Sequence, residues 1–91
     1  MDNICVIIDK PSNQFLGMAL KFQSMREDEI NSLETYKFAS YTEDIKTFLG
    51  SSLLELLCEV RKKYLNAIML DFTERETALG YVHSIRLKER L

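Results

Sequence analysis

Residues 42–65, TEDIKTFLGSSLLELLCEVRKKYL, decide how the rest of the chain is read. Apolar side chains fall at Ile45, Phe48, Leu49, Leu53, Leu56, Leu57, Val60 and Tyr64, in steps of three and four that keep to one face of an α-helix. Ser52 and Glu55 stand in capping-box relation, so a hydroxyl and a carboxylate are placed to satisfy orphan amides at a helix start. Arg61, Lys62 and Lys63 close the segment, where positive charge complements the helix dipole. The spacing predicts one long helix over 42–65. Gly50 with Ser51 and Ser52 offers a split, with a short helix at 43–49 and a longer one at 53–65. The stripe keeps phase through Gly50, so a continuous helix with a tolerated Gly, at a cost of about 1 kcal/mol relative to Ala, stands level with the split.

Upstream of this segment the pattern belongs to strands. Residues 3–9, NICVIID, form a dense β-branched run that ends in KPSNQ, a turn signal. FLGMALKF at 15–22 alternates Leu16, Met18, Leu20 and Phe22 against Gly17, Ala19 and Lys21, so the two runs make an antiparallel hairpin. Ile4 to Ile8 are apolar on both faces, which places the first strand inside a sheet and not at its edge. Over 25–32 the reading is a loop with room for a helical turn, from the Ser24/Glu27 capping pattern. A strand follows at about 34–40, carried by Tyr36 and Phe38.

Downstream, AIMLDF at 67–72 reads as another strand. The last segment has two readings. Thr73 and Glu76 form a capping pattern, which fits a helix over 74–90. Leu79, Tyr81, His83, Ile85 and Leu87 alternate with Gly80, Val82, Ser84, Arg86 and Lys88, which fits a strand. Gly80 is a poor helix interior, and the favoured reading is a second hairpin, 67–73 with 78–88. A faint echo between IID…FLG and MLD…ALG agrees with it. The fold expected is a single α+β domain over 1–91. It has a mainly antiparallel sheet of four to five strands in ββ(β)αββ order, with one long helix on one face and a helical 74–90 as the alternative.

The chain of 91 residues has a net charge of −2, which excludes a globally basic nucleic-acid binder and a strongly acidic mimic of one, but not a local patch of either sign. Cys5 and Cys58 have neither metal spacing nor a disulfide framework, and free thiols fit a reducing cytoplasm. The apolar run at the start is too short for a leader and lacks a basic flank, and no run reaches membrane-spanning length.

Two surfaces follow from this fold. One helix covers about two strands, so a wider sheet would leave Cys5, Ile7, Ala19, Met69 and Val82 on an apolar face to be covered by a second copy or another protein, by the acidic 25–40 region folding over it, or by the C-terminal segment if that is helical. Arg61, Lys62 and Lys63 at the helix end, with Arg86, Lys88 and Arg90 on the returning last strand, would form a basic pole for phosphates, nucleic acid or an acidic partner. Glu43 and Asp44 at the helix start, with Glu74 and Glu76, would form an acidic pole at the far end.

Catalytic signals are thin. His83 stands on the apolar-alternating positions, where a packed side chain is the ordinary reading. A Cys–His pair lacks an orienting third group, and Cys5, Cys58 and His83 have no zinc spacing. Asp9 and Asp71 each end an apolar strand and could face one cavity, though an Asp there more often opens a turn. Gly17, Gly50 and Gly80 are isolated, so no phosphate loop is present. Base stacking on Tyr36, Phe38 and Tyr41 has acidic neighbours, the wrong sign for nucleic acid. The expectation is a non-enzymatic protein-protein interaction module of inhibitor, immunity or adaptor type, without a cofactor or metal. Its partner would be another protein or a second copy in a homodimer. A phosphate or nucleic-acid binder comes second, and a small enzyme with a carboxylate or His site third.

Overall fold

The computed structural model describes residues 4–22 and 35–89. They form an α+β fold in which an antiparallel sheet lies between two helices. In chain order the strands are β1 (Ile4–Asp9), β2 (Gln14–Phe22), β3 (Thr35–Ser40), β4 (Phe48–Gly50) and β5 (Ala67–Phe72). Helix α1 (Leu53–Arg61) lies between β4 and β5, and α2 (Arg75–Glu89) follows β5. The spatial order is β4-β3-β2-β1-β5. The expected first hairpin, the strand at 34–40 and the strand at 67–72 are all present. The loop read over 25–32, with its room for a helical turn, lies outside the described residues.

β1 is an interior strand, as its two-faced apolarity requires. Cys5 and Ile7 point to one side, where they join Leu16, Ala19, Phe38, Leu56 and Val60 beneath α1. Ile4, Val6 and Ile8 point to the other, where they join Phe15 and meet Ala78, Val82 and Ile85 of α2. A register shift between Ile7 and Ile8 lets Phe15 pack on the α2 side while its neighbour Leu16 packs on the α1 side. Two cores therefore share one sheet, and β1 contributes to both.

Two expectations are corrected. The long helix over 42–65 is shorter: α1 begins after Ser52, and Phe48–Gly50 is a strand paired with β3. Ser52 is the N-cap, its hydroxyl accepting from the Glu55 N–H at 3.1 Å. The Glu55 carboxylate accepts from the Ser51 N–H at 3.0 Å and from the Ser51 hydroxyl, one residue earlier than a standard capping box. Ile45 and Phe48 still reach the α1-side core, the latter 5.4 Å from the Phe38 ring, but from a turn and a strand. At Gly50 a Cβ would lie 2.8 Å from a Leu56 methyl, so glycine lets β4 run close against α1.

The favoured second hairpin is also replaced. Residues 75–89 are helical, as in the alternative reading. Ala78, Tyr81, Val82 and Ile85 make its inner face at steps of three and four, while Leu79 and Leu87 are exposed. The reason is tertiary. Val6, Ile8, Phe15, Met18, Ile68 and Leu70 present an apolar surface on this side of the sheet. A further strand would have extended the sheet and left that surface bare, whereas a helix covers it.

Candidate functional site

The end of the sheet where β1 turns into β2 carries Lys10 in the turn and receives the basic ends of both helices, Arg61 of α1 and Arg86 and Lys88 of α2. Residues 10–13 form the turn, with Asn13 in the left-handed region at φ 58°, where Asn is tolerated. α1 and α2 both finish at this end. Lys10 borders an open cleft of about 430 Å³ with Arg61, Asn66 and Ala67, and a second one of about 350 Å³ with Asn13, Ser84 and Lys88. The β1–β2 turn thus carries one lysine between a basic residue of each helix.

Arg61, Lys62 and Lys63 end α1, and Arg86 and Lys88 end α2 and not a strand, so the two sets reach the same end of the sheet on opposite faces, with Lys10 bordering a cleft on each side. Arg90 lies outside the described residues. Three of these groups are engaged. The Arg61 Nε donates to the Ala67 carbonyl at 2.9 Å, and Lys62 pairs with Glu59 at 2.7 Å. The Arg86 guanidinium sits 4.6 Å from the centre of the Tyr41 ring, which packs in turn on Phe15.

The expected acidic pole is redistributed. Because 42–47 is a turn between β3 and β4 and not a helix start, Glu43 and Asp44 sit at the basic end. The Tyr64 hydroxyl donates to Asp44 at 2.7 Å and holds that carboxyl below its ordinary range, with Lys63 assisting. Glu74 and Glu76 do stand at the far end, at the start of α2. The described residues form a mixed pole with a basic excess, not a dipole from end to end.

The apolar face expected to need a cover is closed within the chain. Cys5, Ile7 and Ala19 are fully buried under α1, and Met69 is half-buried against the same cluster. Val82 lies on α2, packed against the opposite side of the sheet. The correction follows from the second helix: with one helix on each face, these residues are core. The exposed apolar surface is elsewhere. α2 packs on β2, β1 and β5. The register sets Leu20 of β2, Lys37 of β3 and Leu49 of β4 side by side on the α2 side of the sheet. Leu20 is 37% and Leu49 55% exposed, and Leu79, 46% exposed, lies on α2, two helical turns before Arg86. Sequence reasoning missed this strip because Leu49 was counted into the helical stripe. The usable signal was Gly50-Ser51-Ser52, which detaches Leu49 from the helix.

Of the residues with catalytic potential, Cys5 and Asp71 meet, while the carboxylate pair and the Cys–His pairs do not form. Asp9 and Asp71 lie on the same side of the sheet, but four residues apart along the β1–β5 register, about 13 Å. Asp9 accepts from the Ser12 hydroxyl at 2.7 Å, the turn role its position suggests. Asp71 accepts from the Cys5 thiol at 3.0 Å. Burial, with that carboxylate adding to it, pushes the Cys5 thiol up to about 12, away from the thiolate a nucleophile needs. Cys58 is exposed on α1. His83, expected to be packed, is exposed on α2 across the sheet, because its helical position faces outward. Phe38 is fully buried, so the three aromatics do not form a stacking platform. Among the described residues no group of three His, Cys, Asp or Glu side chains could hold a metal ion, and no helix is long and apolar enough to cross a membrane.

No family model, curated protein or solved structure matches the chain.

Proposed function

We propose that this chain is a non-enzymatic protein-binding module of inhibitor, immunity or adaptor type that works in the cytoplasm. One observation carries the reading: Leu20 and Leu49 lie exposed in one row across β2, β3 and β4 on the α2 side of the sheet. Apolar side chains grouped on an ordered sheet are a surface that a partner's side chains can dehydrate without any rearrangement of the chain. Lys37 in the middle of the strip supplies a charge that favours an acidic group on the partner's rim. The two free cysteines agree with a reducing compartment.

The test is a comparison of captured partners from native extract between the natural chain and a Leu20→Glu/Leu49→Glu variant whose circular dichroism is unchanged. A partner held by the natural chain and released by the variant supports the reading. Identical capture by both removes it.

A second reading, binding of an anionic ligand at the basic end, is favoured by Lys10 bordering both clefts. Lys10→Glu/Lys88→Glu would then abolish a salt-sensitive interaction with inorganic phosphate or a short RNA at low ionic strength. Absence of binding by the natural chain under those conditions removes it.

A further inference from the structure

The two outer strands of the sheet are finished differently. In an antiparallel sheet, every second residue of an edge strand points its N–H and C=O away from its neighbour. The Tyr41 N–H donates to the Leu16 carbonyl, extending the β2–β3 register, so β3 turns its even-numbered residues toward β4. In the three-residue β4, Leu49 alone therefore faces outward, and the next N–H, that of Ser51, is taken by Glu55. That edge is closed within one residue.

β5 is the open edge. The Lys10 N–H donates to the Asn66 carbonyl at 3.2 Å, extending the register in which Asp9 faces Ala67. The hydrogen-bonded pairs of this ladder are therefore Ile8–Ile68, Val6–Leu70 and Ile4–Phe72, and Ala67, Met69 and Asp71 point outward. Ala67 is satisfied already: its N–H donates to the Tyr64 carbonyl at 3.0 Å, and its carbonyl accepts from Arg61 at 2.9 Å. Met69 and Asp71 remain, and no described strand lies beyond them.

We infer that β5 pairs antiparallel with the β5 of a second copy of this chain, about a two-fold axis through Leu70. That register sets Met69 against the partner's Asp71 and Asp71 against the partner's Met69, each pair exchanging both main-chain hydrogen bonds. Centring on Met69 instead would demand the groups of Ala67, which Arg61 and Tyr64 occupy. Charge agrees with the choice. Asp71 lies on the α1 side of the sheet, opposite Cys5, and Arg61 comes from α1. In the paired sheet the partner's Asp71 stands across from Met69, about 7 Å along the strand from the carbonyl that holds the Arg61 guanidinium. The guanidinium has further N–H groups to give, so an Arg–carboxylate pair forms twice, once at each symmetric end. On the α2 side Leu70 meets its own copy, and the half-buried Ile68 meets the partner's Phe72. The leucine strip lies toward the opposite edge of the sheet, so the dimer leaves it free and stands or falls independently of the proposed function.

Sedimentation equilibrium of the full chain over a dilution series should give twice the 10.6 kDa chain mass at the concentrated end. Arg61→Glu should weaken the dimer by about ten-fold or more, and Arg61→Glu/Asp71→Arg should restore it. Leu70→Cys, made with Cys58→Ser, should give a disulfide-linked dimer under mild oxidation, since facing residues of a non-hydrogen-bonded pair have Cα atoms about 4.5 Å apart. Met69→Cys in the same background should cross-link far less, because it faces Asp71. Urea midpoints of the variants confirm folding, and the charge pair decides the matter if Leu70→Cys does not fold. A monomer at every concentration overturns the proposal. So does a dimer that ignores Arg61→Glu, or one lost in that variant and not rescued by the double change.

Discussion

Gly80 tests the architecture by substitution, because helix and strand rank the same side chains in opposite order. It sits inside α2, with nothing within 4 Å of the place its Cβ would occupy, so a larger residue meets no clash and changes only the backbone preference. In a helix Ala is favoured over Gly by about 0.8–1.0 kcal/mol, and a β-branched residue recovers only part of that, leaving Gly80→Val about 0.3 kcal/mol above the natural chain. In a strand the order reverses, since Val is favoured over Ala on a scale that spans about 1 kcal/mol. Urea unfolding followed by far-ultraviolet circular dichroism separates the cases. With a slope of about 1 kcal/mol/M, Gly80→Ala should raise the midpoint by about 1 M and Gly80→Val by about a third of that. The expected rise in Tm for Gly80→Ala is about 4–8 °C. A Gly80→Val variant as stable as Gly80→Ala, or more so, would refute a helical 75–89 and return the segment to the hairpin.

Gly17→Ala should behave in the opposite way: its Cβ would lie 2.5 Å from the Ala39 carbonyl oxygen and 2.5 Å from the Phe38 ring, so backbone and a buried aromatic must both move, and calorimetry should show a loss of about 2–3 kcal/mol. Ser52→Ala removes the acceptor for the Glu55 N–H and should lower the urea-derived stability by about 1 kcal/mol. Of the two thiols, exposed Cys58 should react at once with a disulfide reagent, while buried Cys5 should react only on unfolding. Because the Cys5 thiol is pushed from 9.0 to about 12, the unfolded chain loses this proton first as pH rises. The native state then holds more protons between pH 9 and 12, so stability should fall across that window, more steeply than in Cys5→Ala. Equal pH slopes for the two proteins would show that Cys5 is not shielded as described.

Much of the sheet was legible because strand signals are local. The β-branched run at 4–8, the turn signal at 10–13 and the alternation at 15–22 specify a hairpin with little reference to anything else. The Ser52 cap was legible for the same reason, since capping is settled within one helical turn. The placing of Arg61, Lys62, Lys63, Arg86 and Lys88 at one end of the sheet was expected by way of a returning strand; the structure brings them there on two helices, one on each face. The placing survives because a helix that follows β5 antiparallel returns to the same end.

What the sequence determined by itself, then, is that β1 must be buried on both faces, that β2 pairs with it, and that the leucine stretch after Ser52 is helical. These depend on main-chain preference and on side chains a few residues apart. What only the tertiary structure decided is the fate of the segments whose periodicity was ambiguous. Ile45, Phe48 and Leu49 keep helical phase with the leucines of α1, yet β3 had an edge to pair, and Phe48–Gly50 pairs with it. Leu79 to Leu87 alternate like a strand, yet the apolar side of the sheet under Val6, Ile8 and Leu70 needed a cover two strands wide, and only a helix supplies that. A periodicity names the faces a segment has. Which of them is buried depends on what the rest of the chain has left uncovered.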